Sequence, residues 1–288
     1  MAAVEEEAWD FGMAGSVPNV IAGSQGIVTI GISNDESSAT EVLAAPGVTD
    51  WPPTTLQPGM FASTPSSTGD LLLRECLAQA GVDYTEEHLF SGSQDDIIGA
   101  LEGGDAMYGA LWPPNTYSYL ANNPDAVSVC SGDDVGIPIL GGLMVRERWG
   151  QENPQIVARL LAAYLRGVTL MLNKKARDMT MELSKGFYDF VGVSISEDDM
   201  LRDLTTRPVF NLDDQLHIME RSSLNNDVSS ADEYYSALSS FLLDQGVLES
   251  DISPVEYVTD WYMTMVSDEP FLRQYAYLGY IEDPKNYK

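Results

Sequence analysis

Basic residues are scarce in this sequence. Lysine and arginine together number 15 against 44 acidic residues, and the formal net charge is −29. Proteins that bind nucleic acid neutralise its phosphates with lysine and arginine, so this charge excludes nucleic acid as a partner class. The acids are spread along the chain, which indicates a solvated surface that keeps the protein soluble rather than a site for cationic substrates.

Cysteine and histidine, the residues of most transition-metal sites, are also scarce. The chain has Cys76, Cys130, His88 and His217, with no CxxC spacing and with the histidines far from the cysteines in sequence. We therefore expect neither a metal site nor a cofactor. Each cysteine lies in an apolar segment, where a buried thiol is commoner than a disulfide, so the redox compartment stays open.

Long apolar runs and targeting signals are missing as well. No run approaches the roughly 18 consecutive apolar residues of a membrane helix. The start, "MAAVEEEAWDFG", has neither the basic region nor the apolar core of a signal peptide. At 288 residues and 44% hydrophobic, the chain can form one large domain or two smaller ones.

Catalytic motifs are absent too. The sequence contains no GxSxG, HExxH, GxxxxGK[ST] or GxGxxG, and its hydroxyl-rich stretches have no neighbouring histidine to serve as a base. Among 44 acids some pair always looks suggestive, so carboxylate proximity in sequence carries no information. We predict no catalytic residue and expect a protein that is not an enzyme.

The segments that are present change character along the chain. "WDFGMAG" and "GIVTIGIS" predict strands, and residues 45–59, with four prolines, predict a linker or hinge. Strands and helices then alternate to Cys130, which predicts crossover units on a parallel sheet. From residue 153 the pattern is almost wholly helical. The helix over 153–172 is predicted to present one apolar face of Ile156, Val157, Leu160, Leu161, Tyr164 and Leu165.

Three short stretches are candidate binding elements. Ser66, Ser67, Thr68 and Gly69 open a predicted helix, where hydroxyls either cap the free N–H groups or share them with an anion. The cluster at residues 35–38 follows a strand, so it is either a wall of a cleft or a polar turn. Trp112 also follows a strand, and it either stacks on a ligand or lies in the core.

The order of four segments resembles a known family. "WDFGMAGSVPNVIAG", "IVTIGIS", "STPSSTGDLLLRECLAQAGVD" and "DDIIGALEGGDAMYGALWPPNTYSYL" resemble the periplasmic-type solute-binding proteins of nitrate, taurine and sulfonate ABC importers, a group that includes thiamine-precursor binders. The C-terminal stretch at 241–263 is similar to that family's ending. The positions that match the family motifs are Asp10, Gly12, Gly15 and Pro18, then Ser66, Ser67 and Thr68, then Ala100, Leu101, Gly104, Asp105, Ala106, Trp112 and Pro114.

The resemblance implies an α/β fold, the two-lobed type II periplasmic-binding-protein fold with a helical C-terminal half, whose lobes close on a small solute. It places residues 1–45 and 137–288 in lobe 1 and residues 46–136 in lobe 2. The crossings are expected in residues 43–59 and near residues 136–142, where the sequence has the proline-rich stretch and a glycine pair.

The implied function is the substrate-binding component of an ABC importer that captures a sulfonate, taurine, nitrate or a similar organic anion or zwitterion. The implied partner is the importer's permease. The implied location is periplasmic, or extracellular and membrane-anchored, with the membrane reached only through the transporter or a lipid anchor on the parent protein.

The resemblance also implies the site. The mouth of the helix at Ser66 to Gly69 would receive an anion, Gly15 and Ser16 would donate from the other lobe, and Trp112 would pack on the apolar part of the solute. The full set of expected ligand-binding residues is Gly15, Ser16, Pro18, Glu36, Ser37, Ser66, Ser67, Thr68, Trp112 and Gly142.

Two departures from the family keep alternatives open. Family members have a strand and helix pair, twice, before the segment that this chain starts with, so we expect the chain to be N-terminally incomplete. Asp35 and Glu36 keep a cationic or zwitterionic ligand in consideration. The alternatives are a thiamine-precursor pyrimidine binder or synthase-like enzyme on the same fold, and a ligand-sensing module.

Overall fold

The computed structural model describes residues 9–190, 192–193, 195–221 and 227–278. The chain forms two compact units. Unit 1 comprises Met1–Asn34, Leu140–Thr180 and Val209–Lys288, and unit 2 comprises Asp35–Ile139 and Met181–Pro208. The chain therefore passes from one unit to the other after residues 34, 139, 180 and 208.

The regular elements alternate between strand and helix in the first half of the chain and are helical in the second. The strands are β1 (Phe11–Ala14), β2 (Ile27–Asp35), β3 (Glu41–Ala44), β4 (Phe61–Ser63), β5 (Leu89–Ser91), β6 (Tyr108–Leu111), β7 (Val127–Ser131) and β8 (Leu140–Arg146). The first helices are α1 (Ser16–Gly23), α2 (Thr68–Gln79), α3 (Gln94–Gly103), α4 (Asn115–Asn122), α5 (Gly132–Val135) and α6 (Glu147–Glu152). The later helices are α7 (Pro154–Leu172), α8 (Arg177–Phe190), α9 (Glu197–Thr206), α10 (Leu212–Met219), α11 (Ser230–Asp244), α12 (Pro254–Tyr257), α13 (Trp261–Asp268) and α14 (Pro270–Ala276).

Unit 1 contains a three-stranded sheet in the order β1-β8-β2. β1 pairs antiparallel with β8, with Phe11 opposite Val145 and Ala14 opposite Gly142. Every residue of β2 except its last, Asp35, is buried. A strand that is buried along its whole length lacks the alternation of a half-exposed one, in agreement with the continuous run of apolar and small residues in its sequence.

The long helix α7 packs against α13 and α14 in unit 1. Its buried face consists of Val157, Ala158, Leu161, Ala162, Leu165 and Val168. Ile156 is 46% exposed and Leu160 is 39% exposed, so the apolar face predicted from the sequence was wrong at these two positions. By length and mean hydropathy, 1.4, α7 is the one helix within the described ranges that could cross a membrane, a property that buried core helices share.

Unit 2 contains a five-stranded mixed sheet in the order β5-β4-β6-β3-β7. β4 is parallel to β5 and to β6, as the alternating pattern predicts. β3 runs antiparallel to both β6 and β7. The expectation of a purely parallel sheet was therefore wrong for β3, which enters unit 2 directly from unit 1 without a crossover helix.

The pairing of β3 also moves the expected lobe boundary. The sequence places residues 1–45 in lobe 1, but β3 lies inside the sheet of unit 2, so the chain changes unit after Asn34. The proline-rich residues 45–59 are not a crossing but a connection within unit 2, where Val48, Trp51 and Leu56 pack on the core. Residues 181–208 return to unit 2, although the sequence assigned them to lobe 1.

A disulfide joins α2 to β7 within unit 2. Cys76 and Cys130 are bonded, with their Cα atoms 6.2 Å apart, and both are buried. The expectation that both are buried residues is confirmed, but the expectation of free thiols was wrong. The two residues are 54 positions apart, and their sequence contains no local signal for the packing of the helix on the strand.

Candidate functional site

The first turn of α2 carries the hydroxyl-rich segment of unit 2. Ser67 is the N-cap, because its Oγ accepts the N–H of Asp70 at 3.2 Å and donates to the carbonyl of Thr64 at 2.6 Å. Ser66 has a φ of +55° and is exposed. The Ser67 hydroxyl thus performs the capping that the sequence offered as one alternative, while Ser66 turns the chain into the helix.

Two threonines, Thr64 and Thr68, lie at the start of this helix. Thr64 Oγ1 is buried and has no hydrogen-bond partner among the described residues. Thr68 is 7% exposed, as the first residue of α2. A buried hydroxyl without a partner is costly, by about 1–3 kcal/mol, so Thr64 is a group that a bound molecule or water would satisfy.

Trp112 lies against this same turn. A Cβ built on Gly69 would be 3.3 Å from Cε3 and Cζ3 of the indole, so the ring passes directly over the glycine. The N–H of Trp112 donates to Oε1 of the buried Gln94 at 3.2 Å, and the Gln94 amide donates to the Ala110 carbonyl at 3.2 Å. The fold therefore brings together the predicted residues Ser66, Ser67, Thr68 and Trp112.

Asp70 brings a negative charge into the first turn of α2, and the structure balances it. Its carboxylate accepts the Ser63 hydroxyl at 2.8 Å and pairs with Arg74 Nε at 3.2 Å. Burial lowers the pKa of Arg74, but Asp70, Tyr84 and Glu86 together outweigh burial, so the pKa is raised overall. Arg74 stays charged and neutralises Asp70, the one acid of this turn. The Asp70 charge therefore does not cancel the attraction of the N–H groups at the start of α2 for an anion.

The cluster at residues 35–38 is a hydrogen-bonded turn. Ser37 N–H donates to Asp35 Oδ1 at 2.9 Å, and the Ser37 hydroxyl donates to the same oxygen. The N–H of Ile139 donates to Ser37 Oγ at 2.9 Å. These bonds fasten the two chain segments that enter and leave unit 2, which agrees with the polar-turn alternative.

Glu36 forms an ion pair with Arg207, a residue far from it in sequence. Arg207 contacts Glu36 at 2.9 Å and Asp203 at 3.0 Å. Burial lowers the pKa of Arg207, yet the carboxylates of Asp203 and Glu36 hold it above its ordinary value. The Tyr117 hydroxyl donates to Asp203 at 2.9 Å. The carboxylate of Glu36 is thus matched by a guanidinium of its own unit, which weakens the case for a cationic ligand there.

Unit 1 presents a second helix start at α1. Its N-cap, Gly15, supplies no side-chain cap, and Ser16 is fully buried with an Oγ that has no partner among the described residues. Asn19 donates to the carbonyls of Ala14 and Gly15, each at 2.8 Å, and so fixes the turn. Pro18, the third residue of the helix, has no N–H and is tolerated there for that reason.

Gly142 has a packing explanation. A Cβ at this position would lie 2.7 Å from Cγ of Asn19, so a larger residue would displace the side chain that fixes the start of α1. The surroundings of Gly142 give its predicted ligand-binding role no support.

No group of three or more histidines, cysteines or acids that could hold a metal occurs in the part of the chain that the structure describes.

Solved structures of other proteins share the fold of this chain. No family model and no curated protein sequence matches the chain. The periplasmic aliphatic sulphonate binding protein SsuA from Escherichia coli matches with a TM-score of 0.70 at 15% identity, over 91% of this chain and 84% of that one. The alkanesulfonate-binding protein SsuA from Xanthomonas axonopodis pv. citri, bound to MOPS, matches with a TM-score of 0.65 at 18% identity, over 90% and 83%.

An enzyme shares the architecture. The desulfurization enzyme DSZB matches with a TM-score of 0.55 at 16% identity, over 89% of this chain and 84% of that one. Likeness at these identities concerns the fold, since unrelated functions recur on one architecture. The family resemblance seen in the sequence is thereby confirmed at the level of structure: this chain has the two-lobed α/β fold of the periplasmic-type substrate-binding proteins.

Proposed function

We propose that the protein is the substrate-binding component of an ABC importer and that it binds a small organic anion of the sulfonate type. The observation that carries this proposal is the start of α2, where hydroxyl groups and free helix N–H groups lie beside the ring of Trp112. The folds of two sulfonate-binding proteins support it.

The chemistry of this turn suits a sulfonate. The head group is anionic, with oxygens that accept hydrogen bonds from the first N–H groups of a helix, and the helix dipole favours the charge. The Thr64 hydroxyl, which pairs with no described residue, adds a neutral donor, and Thr68 places a second hydroxyl at the first position of the helix. The Trp112 ring offers apolar area for an alkyl chain. Because the donors are neutral and the nearby charge of Arg74 is already balanced by Asp70, such a ligand can be released, as transport requires.

Unit 1 offers the same chemistry at the start of α1. The Ser16 hydroxyl is buried without a partner, and Gly15 leaves the first N–H groups without a side-chain cap. Gly15 and Ser16 stay predictions, and the proposed site consists of residues of unit 2 alone. Pro18, Glu36, Ser37 and Gly142 stay predictions, because each is accounted for by its own helix, turn or packing contact.

We place the protein outside the cytoplasm, in the periplasm or at the cell surface, with the importer's permease as its partner. The disulfide between Cys76 and Cys130 supports this location, because disulfides persist in oxidising compartments. Two sulfonate-binding proteins share the fold, and one of them is described as periplasmic.

Calorimetric titration with an alkanesulfonate, taurine and nitrate tests the proposal. The variant Ser67→Ala/Thr68→Val removes the capping hydroxyl that fixes the first turn of α2 together with the Thr68 hydroxyl, and it is expected to weaken sulfonate binding at least tenfold. Ser93→Ala is the matched control, because Ser93 caps α3 in the same unit through the same bond to a backbone N–H. Each cap contributes about 1 kcal/mol of stability, so the two variants lose similar stability and only one loses affinity.

Three results count against the proposal. The first is a folded wild-type protein that binds none of the three anions at millimolar concentration. The second is equal affinity in the wild type and the double variant. The third is conversion of the bound sulfonate to another mass during the titration, which would favour the enzyme that shares this fold.

A further inference from the structure

An open groove lies in unit 1 where α13 ends and α14 begins. Its cavity volume is about 380 Å³, and its lining includes Gln155, Trp261, Met265, Asp268, Glu269 and Pro270. A neighbouring depression of about 460 Å³ shares Asp268 and Pro270 with it. The two depressions therefore continue one another across the junction of the two helices.

The groove is acidic and carries no basic side chain in its lining. Asp268 makes no ion pair or side-chain hydrogen bond with any described residue. Glu269 is held in position as the N-cap of α14, because its carboxylate accepts the Leu272 N–H at 2.6 Å. Two carboxylates, one of them fixed, therefore lie on one short segment of this groove, and the basic side chain Arg273 lines the neighbouring depression.

An aromatic ring stands beside these carboxylates. Trp261 lines the groove and is 46% exposed, and the thioether of Met265 lines it as well. A tryptophan face attracts cations, and a carboxylate binds a guanidinium through charge-assisted hydrogen bonds. The same surface already contains one such contact, since the Arg166 guanidinium lies over the Tyr275 ring with 4.6 Å to the centroid.

Two exposed apolar side chains are adjacent in sequence to residues that line the groove. Ile156, next to Gln155, and Phe271, next to Pro270, are 46% and 66% exposed. The Phe271 and Tyr275 rings stack with centroids 6.2 Å apart. Exposed apolar side chains around a polar groove are typical of docking surfaces, in which large side chains of a partner cover them.

We propose that this groove docks a partner protein by receiving one of that partner's arginine side chains. The guanidinium lies on the Trp261 ring and pairs with Asp268, the alkyl part contacts Met265, and apolar residues of the partner cover Phe271 and Ile156. Arginine suits the groove better than lysine, because its planar head group stacks on an indole and binds a carboxylate at once. This site is separate from the solute site and does not depend on its existence.

Fluorine NMR of the full chain labelled with 5-fluorotryptophan tests the proposal. The five tryptophans give one resonance each, and Trp261→Phe identifies the resonance of Trp261. The probe is the peptide acetyl-Ala-Leu-Arg-Leu-Ala-amide, and its control is the same peptide with neutral citrulline in place of arginine. We expect the arginine peptide to shift the Trp261 resonance in a saturable manner, at least fivefold more tightly than the citrulline peptide, with the other four resonances unmoved.

Two charge variants separate a specific site from general attraction to an acidic protein. Asp268→Asn is expected to weaken the arginine peptide at least fivefold, and Asp125→Asn, an equal charge change at an exposed position of unit 2, is expected to leave it unchanged. Unmoved resonances of the other tryptophans show that each variant is folded. The proposal is overturned by equal shifts with both peptides, by equal losses in the two variants, or by a Trp261 resonance that neither peptide moves at millimolar concentration.

Discussion

The indole of Trp112 lies so close to Gly69 that a methyl group on the glycine would be 3.3 Å from two ring carbons. This distance is tighter than ordinary van der Waals contact, so an alanine at position 69 forces the ring to move by a few tenths of an ångström. The position of the ring relative to the first turn of α2 is therefore set by the absence of a side chain at residue 69.

Gly69→Ala is expected to weaken sulfonate binding severalfold, because it shifts the ring that we propose contacts the solute. Its free energy of unfolding is expected to change little, since the gain of up to about 1 kcal/mol from replacing a helical glycine opposes the crowding. Gly99→Ala is the control, because a Cβ there meets nothing within 4 Å in helix α3 of the same unit. Titration calorimetry and urea unfolding measure both effects, and equal affinities in the two variants would contradict the account.

The disulfide within unit 2 is expected to contribute substantially to stability. It closes a loop over a separation of 54 residues, for which the chain-entropy relation gives about 4 kcal/mol. Cys76→Ser/Cys130→Ser is expected to lose about 2–5 kcal/mol in urea unfolding. A thiol assay on the unfolded wild-type protein should find no free thiol before reduction and two afterwards. Two free thiols before reduction would contradict the bond.

Glu41 is a buried acid whose charge disfavours folding. Burial raises the pKa of Glu41 above its ordinary 4.5, and hydrogen bonding from Ser128 and the ion pair with Arg202 offset only part of this effect. The native state therefore binds the proton more tightly than the unfolded state, so this contribution to stability is complete below pH 4.5 and is lost as the pH rises through the raised pKa. Glu41→Gln is expected to increase the free energy of unfolding at pH 7, with the increase vanishing below pH 4.5. Destabilisation at pH 7 would contradict the prediction.

Asp232 is the opposite case in unit 1. Burial alone would raise its pKa, but hydrogen bonds from Arg221 and Ser229 outweigh burial and hold the pKa of Asp232 below its ordinary 3.8. Its contribution is complete above pH 3.8 and is lost as the pH falls through the lowered value. Asp232→Asn is expected to destabilise the protein at pH 7 by about 3–5 kcal/mol, because Arg221 loses its partner. The difference from the wild type should shrink in urea unfolding performed below pH 3.8.

Arg207 is expected to stabilise unit 2 through the two carboxylates that it joins. Arg207→Met leaves Glu36 and Asp203 without their guanidinium and is expected to cost about 3 kcal/mol in urea unfolding. The control is Arg148→Met, since the exposed pair of Arg148 with Glu152 contributes at most about 1 kcal/mol. Equal losses in the free energy of unfolding of the two variants would show that the Arg207 ion pairs stabilise the protein no more than an exposed pair does.

The sequence predicted α2 well because two independent signals agree there. Apolar residues recur at helical spacing, and Ser67 stands at the N-cap position with an acid three residues later. The helix α1 was missed, since the sequence between the predicted strands "WDFGMAG" and "GIVTIGIS" is rich in glycine, serine and proline, which are typical of loops. In fact Gly15 is an N-cap and Pro18 lies in the first turn, where its missing N–H costs nothing.

What the sequence could not predict depends on contacts between distant residues. Nothing local to Glu36 indicates that Arg207 lies opposite it, because helix periodicity does not say which sheet α9 packs on. The same holds for the pairing of Cys76 with Cys130 and for the entry of β3 into unit 2. The hydroxyls of α2 were predictable as a helix start, whereas the approach of Trp112 to that start required the fold.

We propose that the start of α2 binds a small organic anion. Native mass spectrometry of the protein mixed with an alkanesulfonate tests this proposal most directly, because it measures the mass of the bound molecule itself. We expect one bound sulfonate per wild-type chain. The Ser93→Ala variant should still bind it, and the Ser67→Ala/Thr68→Val variant should not. A folded wild-type protein that carries no sulfonate at millimolar concentration, or a double variant that retains it, would contradict the account.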